Sequence, residues 1–267
     1  MPKISVIMGV YNCAGTLLEA LESLYSQTFQ DFEIILCDDG SDDDTYLIAK
    51  NAKQTHSNVI LCRHPRNMGL AYALNTCLEH VSGEYIARMD GDDVSLPERF
   101  EVLNNFLDSH TEYAVVSSPM YHFDGDGVFR IGRGKGEIQK KDFLTGPPVC
   151  HAPSMMRTEA LKAVGGYSTD VFSGRIEDYY LWFKMYAAGL KMYELDTPYY
   201  KMRDLHRDES GKPSNDLSFR ILETKLKLKG FNMIHAPWYS IFYAVRPIFL
   251  GLLPYPLYRL LHKVRRG

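Results

Sequence analysis

Four short runs rich in isoleucine and valine, residues 4–10, 33–37, 58–63 and 83–89, alternate with helical patterns that start at Thr16, Asp43 and Gly69. Runs of this length and apolarity are what strands buried on both faces require. Their alternation with helices is the signature of βαβ units wound into a parallel sheet. The chain is therefore predicted to be an α/β protein. Sheets of this kind gather their ligands beyond the carboxyl ends of the strands, so those ends are where function is to be sought.

Three such ends share one edge in this reading. The first strand ends at Gly9-Val10-Tyr11-Asn12, the second at Asp38-Asp39-Gly40-Ser41-Asp42 and the fourth at Asp90-Gly91-Asp92-Asp93. Asp, Ser and Gly are also what helix starts and turns favour, so the second segment alone fits a cap as well as a site. The Asp90 segment fits a cap less well. One acceptor suffices for capping, and adjacent carboxylates repel each other unless a cation or water screens them. Asp-x-Asp puts two side chains on the same side of an extended segment, where hard oxygen ligands can share Mg2+ or Mn2+ with a substrate's phosphates.

Composition narrows the partners. The 267 residues, 45% hydrophobic, supply the core of one large α/β domain or two small ones. A net charge of -3 offers no general basic field, so nucleic acid is not an expected partner. Cys13, Cys37, Cys62, Cys77 and Cys150 are widely spaced without a C-x-x-C pair, and they read as core thiols in a reducing compartment. The opening MPKISVIMGVYN lacks the apolar region and cleavage site of a signal peptide, which predicts a cytoplasmic chain.

The order of the motifs carries more than any one of them. ISVIMGVYN, LESLYSQTFQDFEIILCDDGSDDDT, NMGLAYALN, GEYIARMDGDD and GRIEDYYLWFKM closely resemble the family 2 glycosyltransferases, over about residues 3–210. The resemblance is strongest to the small bacterial enzymes of exopolysaccharide, capsule and lipopolysaccharide assembly. It implies the GT-A fold, a Rossmann-like and mostly parallel central sheet flanked by helices. It also implies transfer from a nucleotide-diphosphate sugar with inversion at the anomeric carbon. A donor-binding half of about 1–112 and an acceptor-side half of about 113–228 are expected, followed by a helical tail over 229–267.

The same resemblance assigns roles. Asp39 corresponds to the carboxylate that reads the base and Tyr11 to the aromatic beside it. A carboxylate can accept the imide N–H of uracil and an aromatic face can stack, so a UDP-sugar is the favoured donor. Val10, Asn12, Asn67 and Gly91 complete the expected nucleotide-sugar set. Asp90 and Asp92 occupy the D-x-D positions, with Asp92 the direct ligand of Mn2+ or Mg2+, while Asp93 is expected to cap the next helix near Pro97. Arg88 contacts the diphosphate or holds Asp90.

The second half supplies the acceptor side. The strand-like AVVSSPMYHF precedes GDGVFRIGRGKGE, read as a mobile loop suited to a variable acceptor edge. His151, in GPPVCHAPSMMR, matches the family's H-P-S segment and is expected to be scaffolding. Helical spacing of Leu181, Lys184, Met185 and Ala188 puts Glu177 and Asp178 near a helix N-terminus. A cap is the local reading, whereas the resemblance makes Asp178 the general base, a weak one at an ordinary carboxylate pKa of about 4. Asp178 would then take the acceptor proton while the metal on Asp92 neutralises the departing diphosphate. Arg203 and His206, with Arg207, are expected to form a lid over the diphosphate.

From Lys229 the chain is rich in aromatic and aliphatic residues and ends with Arg259, His262, Lys263, Arg265 and Arg266. Arg246, Pro247, Pro254 and Pro256 interrupt it, so peripheral attachment at the inner face of the cell membrane, near a glycan or lipid-linked acceptor, is expected rather than a span. The other use of such a surface is packing on the domain or a homodimer contact. Two other function classes remain. A sugar nucleotidyltransferase would carry a glycine-rich basic phosphate loop after the first strand, where this chain has GVYNCAG. A GT-A-fold protein with a non-catalytic protein-binding role is the other; intact carboxylates at all three sites argue against pure loss of activity and are compatible with a second binding role.

Overall fold

The computed structural model describes residues 1–170, 176–204 and 217–252. Strands β1 (Ile4–Val10), β2 (Phe32–Asp38), β3 (Val59–Arg63) and β4 (Tyr85–Arg88) lie parallel in the order β3-β2-β1-β4. Helices α1 (Leu17–Tyr25), α2 (Thr45–Thr55) and α3 (Leu70–Leu78) connect them, as the alternating sequence predicts. In register, Ile4 faces Phe32 and Tyr85, so β1, β2 and β4 run together and open their carboxyl ends on one edge. Along β1 the side chains alternate between two cores. Ile7 packs with Ile35, Ile86 and α3, while Val6 and Met8 pack with Ile34, Leu36 and α1. Burial on both faces is the reason these runs read as apolar without alternation.

Beyond β4 the sheet is mixed. After β5 (Val94–Ser95) and α4 (Arg99–Ser109) come β6 (Tyr113–Ser117), β7 (Tyr121–Asp124), β8 (Gly127–Ile131) and β9 (Gly136–Glu137). They are followed by β10 (Met155–Arg157), α5 (Thr158–Ala163), α6 (Glu177–Ala187), β11 (Lys191–Glu194) and β12 (Tyr200–Arg203). The central sheet continues from β4 through β10, β6, β11 and β9, with β10 antiparallel to both neighbours. A second sheet, in the order β5-β12-β7-β8, stands beside the end of β4.

Two sequence expectations change here. AVVSSPMYHF is not one strand: it breaks at Ser118-Pro119, and its halves join different sheets. Proline offers no N–H to a ladder, which makes it a natural point of departure. The expected mobile loop contains β8, paired antiparallel with β7, and β9, paired with β11. Val128 and Ile131 of β8 are largely exposed, so this edge strand carries no buried alternation for a sequence reading to detect.

The composition shift at Lys229 falls inside α7 (Leu217–Met233), not between elements. A Cβ at Gly230 would overlap the Phe183 ring of α6, and Phe231, Ile234 and Ala244 are buried with that helix. The start of the tail is thus core. Its outer face, on α8 (Ser240–Leu252) and the turn before it, leaves Trp238 80%, Phe242 63% and Phe249 64% exposed. Among the described residues no helix is long and apolar enough to cross a membrane. Pro254, Pro256 and the basic residues from Arg259 to Arg266 lie outside the described residues, as do His206 and Arg207.

Candidate functional site

The loops after β1 and β2 are stapled together. Asn12, in the left-handed region at φ 48°, donates its N–H to Ser41 Oγ at 3.0 Å and accepts the Asp42 N–H on Oδ1 at 3.0 Å. Cys13 N–H reaches Thr45 Oγ1 at 2.8 Å and Ala14 N–H reaches Asp43 Oδ2 at 3.0 Å. Asp43 also accepts the Thr45 N–H at the start of α2, so part of the acidic run is the turn chemistry its sequence allows. These bonds leave Tyr11 42% exposed at the mouth of the sheet edge, with Val10 buried beneath it.

Asp39 is buried, and its charge is met by fixed donors. Its Oδ1 accepts the Met68 N–H at 2.9 Å and stands 2.6 Å from His64 Nδ1, while Oδ2 accepts the Gly69 N–H at 2.7 Å. The loop carrying exposed Asn67 is thereby drawn over the end of β2.

The turn after β4 is under-satisfied by comparison. Arg88 is 1% exposed and donates from Nη2 to Asp90 Oδ1 at 2.5 Å, yet its Nε and Nη1 have no hydrogen-bond partner. The Tyr200 hydroxyl accepts the Asp90 N–H at 3.1 Å. A Cβ at Gly91 would lie 2.8 Å from Cys13 Sγ, so only glycine lets this turn close against the end of β1. Burial and the Asp90 charge push the Asp92 carboxyl above its ordinary range.

Asp93 does not cap α4, whose N-cap is Glu98. Instead β5 intervenes and buries Asp93 against β12, where its Oδ1 accepts the Arg203 N–H at 2.7 Å. Burial, with the charges of Asp90 and Asp92, raises it to about 8. Arg203 also donates from Nε to Asp92 O at 2.9 Å and pairs with Glu19, which fixes it beside the carboxylates.

Asp90 and Asp92 lie within reach of the Arg88 and Arg203 charges, and burial still holds Asp92 above its ordinary range. Among the described residues no three His, Cys, Asp or Glu side chains form a ready cage for an ion. The donor set at Asp90 and Asp92 fits a Mg2+ or Mn2+ ion that takes one or two carboxylates and completes its shell with phosphate oxygens and water.

Across from this turn stands the start of α6. Asp178 keeps partial exposure and accepts the Tyr179 N–H at 2.7 Å. Burial, then the neighbouring Glu177 charge, raises Asp178 to about 7. The ordinary value assumed from sequence is thus corrected: the enclosure of α6 penalises the charged form, which makes a better base at neutral pH. Glu177 is itself buried, raised by burial, and its Oε2 lacks a partner. The Arg88 charge is felt by Asp92, Glu177 and Asp178 alike, so the D-x-D turn and the α6 start surround one cation.

His151 is held among aromatic side chains. Its Nε2 is 2.8 Å from the Tyr167 hydroxyl, its ring meets Trp182 edge-on, and burial with the Arg88 charge holds it well below its ordinary range.

Several contributors have no local sequence signal. Fully buried Arg99 donates from Nη2 to Arg88 O at 2.5 Å and Ala152 O at 3.1 Å, tying the end of β4 to the His151 segment. Its guanidinium lies 4.9 Å from the Tyr200 ring centroid, and burial lowers it to about 10. Tyr200, Tyr167 and His64 likewise act through contacts distant in sequence.

Comparison with known proteins agrees with this geometry. The model of glycosyl transferase family 2 matches residues 5–165. The putative glycosyltransferase EpsE of Bacillus subtilis is 36% identical over 99% of this chain and 94% of its own length. WfaP of Escherichia coli, described as a UDP-Glc:alpha-D-GlcNAc-diphosphoundecaprenol beta-1,3-glucosyltransferase, is 30% identical over 72% of this chain and 73% of its own. Among solved structures, S. aureus TarS 1-349 in complex with UDP-GlcNAc superposes with a TM-score of 0.68 at 21% identity, over 93% of this chain and 72% of that one. That likeness is one of fold, and it agrees with the GT-A architecture implied by the motif order.

Proposed function

The chain belongs to glycosyl transferase family 2 and is a glycosyltransferase; from that premise we propose that it transfers a sugar from a UDP-sugar, with inversion, to a hydroxyl of a lipid-linked or glycan acceptor in surface polysaccharide assembly. The carrying observation is the placement of Asp178, at about 7, around the same guanidinium as the D-x-D turn. A base poised near neutral pH suits the attacking hydroxyl, and carboxylates able to hold a divalent cation opposite it suit the departure of a diphosphate.

Asp178 accepts the proton of the acceptor hydroxyl as its oxygen bonds to the anomeric carbon, and the bond from that carbon to the diphosphate oxygen breaks on the opposite face. Arg88 holds Asp90 in place and keeps two buried donors, Nε and Nη1, without a hydrogen-bond partner. Tyr11 offers a stacking face to the base, with Asp39 beside it. A divalent ion on Asp92 and Asp90 supplies charge neutralisation for the leaving diphosphate when bound.

The acceptor class draws support from WfaP, whose name records a diphosphoundecaprenol-linked substrate, and from the outer face of α8. Trp238, Ile241, Phe242 and Phe249 form an aromatic and aliphatic surface suited to the headgroup boundary of a membrane. Nucleotide release from a panel of UDP-, GDP- and dTDP-sugars, with Mn2+ or Mg2+ and a lipid-linked saccharide, tests the reading. Acceptor-dependent turnover of a UDP-sugar is expected. Binding without turnover across the panel would instead identify a non-catalytic binding protein.

A further inference from the structure

We propose that His64 is a positioning residue for donor recognition: it locks the Asp39 carboxylate so that one lone pair of Oδ2 alone is left to meet the nucleobase. The inference rests on the reading of Asp39 as the base-recognising group.

An ionised carboxylate offers about four acceptor sites. His64 Nδ1 and the Met68 N–H occupy both sites of Oδ1, and the Gly69 N–H occupies one of Oδ2. The remaining site belongs to Oδ2. The Cβ–Cγ torsion of an aspartate is broad and roughly two-fold, so which oxygen faces the ligand is not set by the rotamer itself. The two backbone donors, Met68 and Gly69, are neighbours on one loop and give the carboxylate a single support.

His64 comes from a different support. Its backbone N–H donates to Asp38 O at 2.9 Å at the end of β3, and its Nε2 is 2.9 Å from Thr76 Oγ1 on α3. The imidazole therefore bridges the sheet and a helix, and its side chain is only 11% exposed. The carboxylate partner assigns the ring hydrogen to Nδ1. With Asp39 N–H bonded to Val10 O at 2.8 Å, backbone and side chain of the reading residue are both fixed.

The consequence is selectivity. A single acceptor site in a fixed direction favours a base that presents an N–H there, as uracil does at N3, and repels cytosine, whose N3 is itself an acceptor. Loss of the His64 bond frees the carboxylate to turn, so UDP is held less firmly while CDP is affected little.

Calorimetry of UDP and CDP on the full chain tests this with His64→Ala, His64→Asn, Thr76→Val and Asp39→Asn. His64→Ala is expected to weaken UDP about tenfold, as loss of a hydrogen bond to a charged group implies, and to shrink the preference of UDP over CDP. His64→Asn returns an amide N–H near the place of Nδ1 and is expected to recover most of both. Thr76→Val, which removes only the outer partner, is expected to give a smaller loss in the same direction and keeps the test decisive if His64→Ala does not fold. An unchanged UDP affinity in Asp39→Asn would overturn the base-reading premise itself. Weakened UDP binding in Asp39→Asn alone, with parental values in His64→Ala or, where that variant does not fold, in Thr76→Val, would overturn the role of His64. Equal losses for UDP and CDP, not recovered by His64→Asn, would also overturn it and leave His64 as loop support.

Discussion

The ends of β2 and β4 flank β1 on either side, and both present aspartates to the same edge of the sheet. At β2 the protein supplies Asp39 with a histidine and two backbone N–H groups, so the site is complete before any ligand arrives. At β4, and at the facing start of α6, it does not. Asp92, Asp93, Glu177 and Asp178 are all pushed up by burial, and buried atoms of Arg88 and Glu177 have no partner. The difference separates two kinds of place. A satisfied carboxylate is rigid and suits recognition, whereas carboxyls raised by burial and mutual repulsion create a demand that a bound cation would relieve.

The comparison breaks most visibly at Asp178. Asp178→Asn is expected to lower turnover about a hundredfold or more while UDP binding stays at the parental value, because only a positioned base is removed. Steady-state transfer and calorimetry on one preparation check it. Lost UDP binding would move Asp178 into the donor site.

Metal dependence sharpens the contrast between the two strand ends. Asp92→Asn is expected to weaken UDP-sugar binding in Mn2+ by about ten- to a hundredfold and to abolish the gain that Mn2+ brings. Asp39→Asn is expected to weaken binding about tenfold in the presence or absence of the ion. Titrations with and without Mn2+ separate them, and equal Mn2+ dependence in both variants would erase the distinction.

These differences were only partly legible in the sequence. The first four strands and three helices could be read because burial on both faces imposes an apolar run with its own punctuation. The motif order singled out Asp90, Asp92 and Asp178, and the fold brings Asp92 and Asp178 within the influence of one Arg88. The sequence could not show the burial that raises Asp178, since that depends on segments distant in the chain gathering around the start of α6. Asp93 was misread because β5, only Val94–Ser95, is too short to give a periodic signal. Arg99 and Tyr200 were missed for a related reason: a buried arginine bonded to carbonyl oxygens looks, in sequence, like any charged residue at a helix start. The tail was read as separate because its outer face is apolar, whereas Gly230 and Phe231 lie inward.

Stability offers a further check on the unsatisfied region. The folded-state value of Asp178 is raised from an ordinary 3.8 to about 7. Ionisation is therefore opposed in the folded protein: the penalty is absent below the unfolded value, grows as pH rises and is complete above about 7. Asp178→Asn is expected to melt higher than the parent at pH 8, with the difference fading toward pH 4. Calorimetric melting at the two pH values measures this, and a variant that melts lower at pH 8 would argue for a structural carboxylate.

The smallest effect on chemistry is expected at α8. Replacing Trp238 and Phe242 with serine is expected to release the protein from anionic liposomes while donor binding stays unchanged, since both side chains are exposed on the outer face of the α8 region. Flotation assays with the two variants decide it; parental liposome binding would assign the surface to another use.

The pH dependence of kcat/KM for sugar transfer tests the central claim most directly, because it reports the protonation of the free enzyme's base. If burial has poised Asp178 for catalysis, kcat/KM falls about tenfold per unit as pH drops below about 7. A profile that stays flat down to pH 5 would contradict the account and place the base elsewhere.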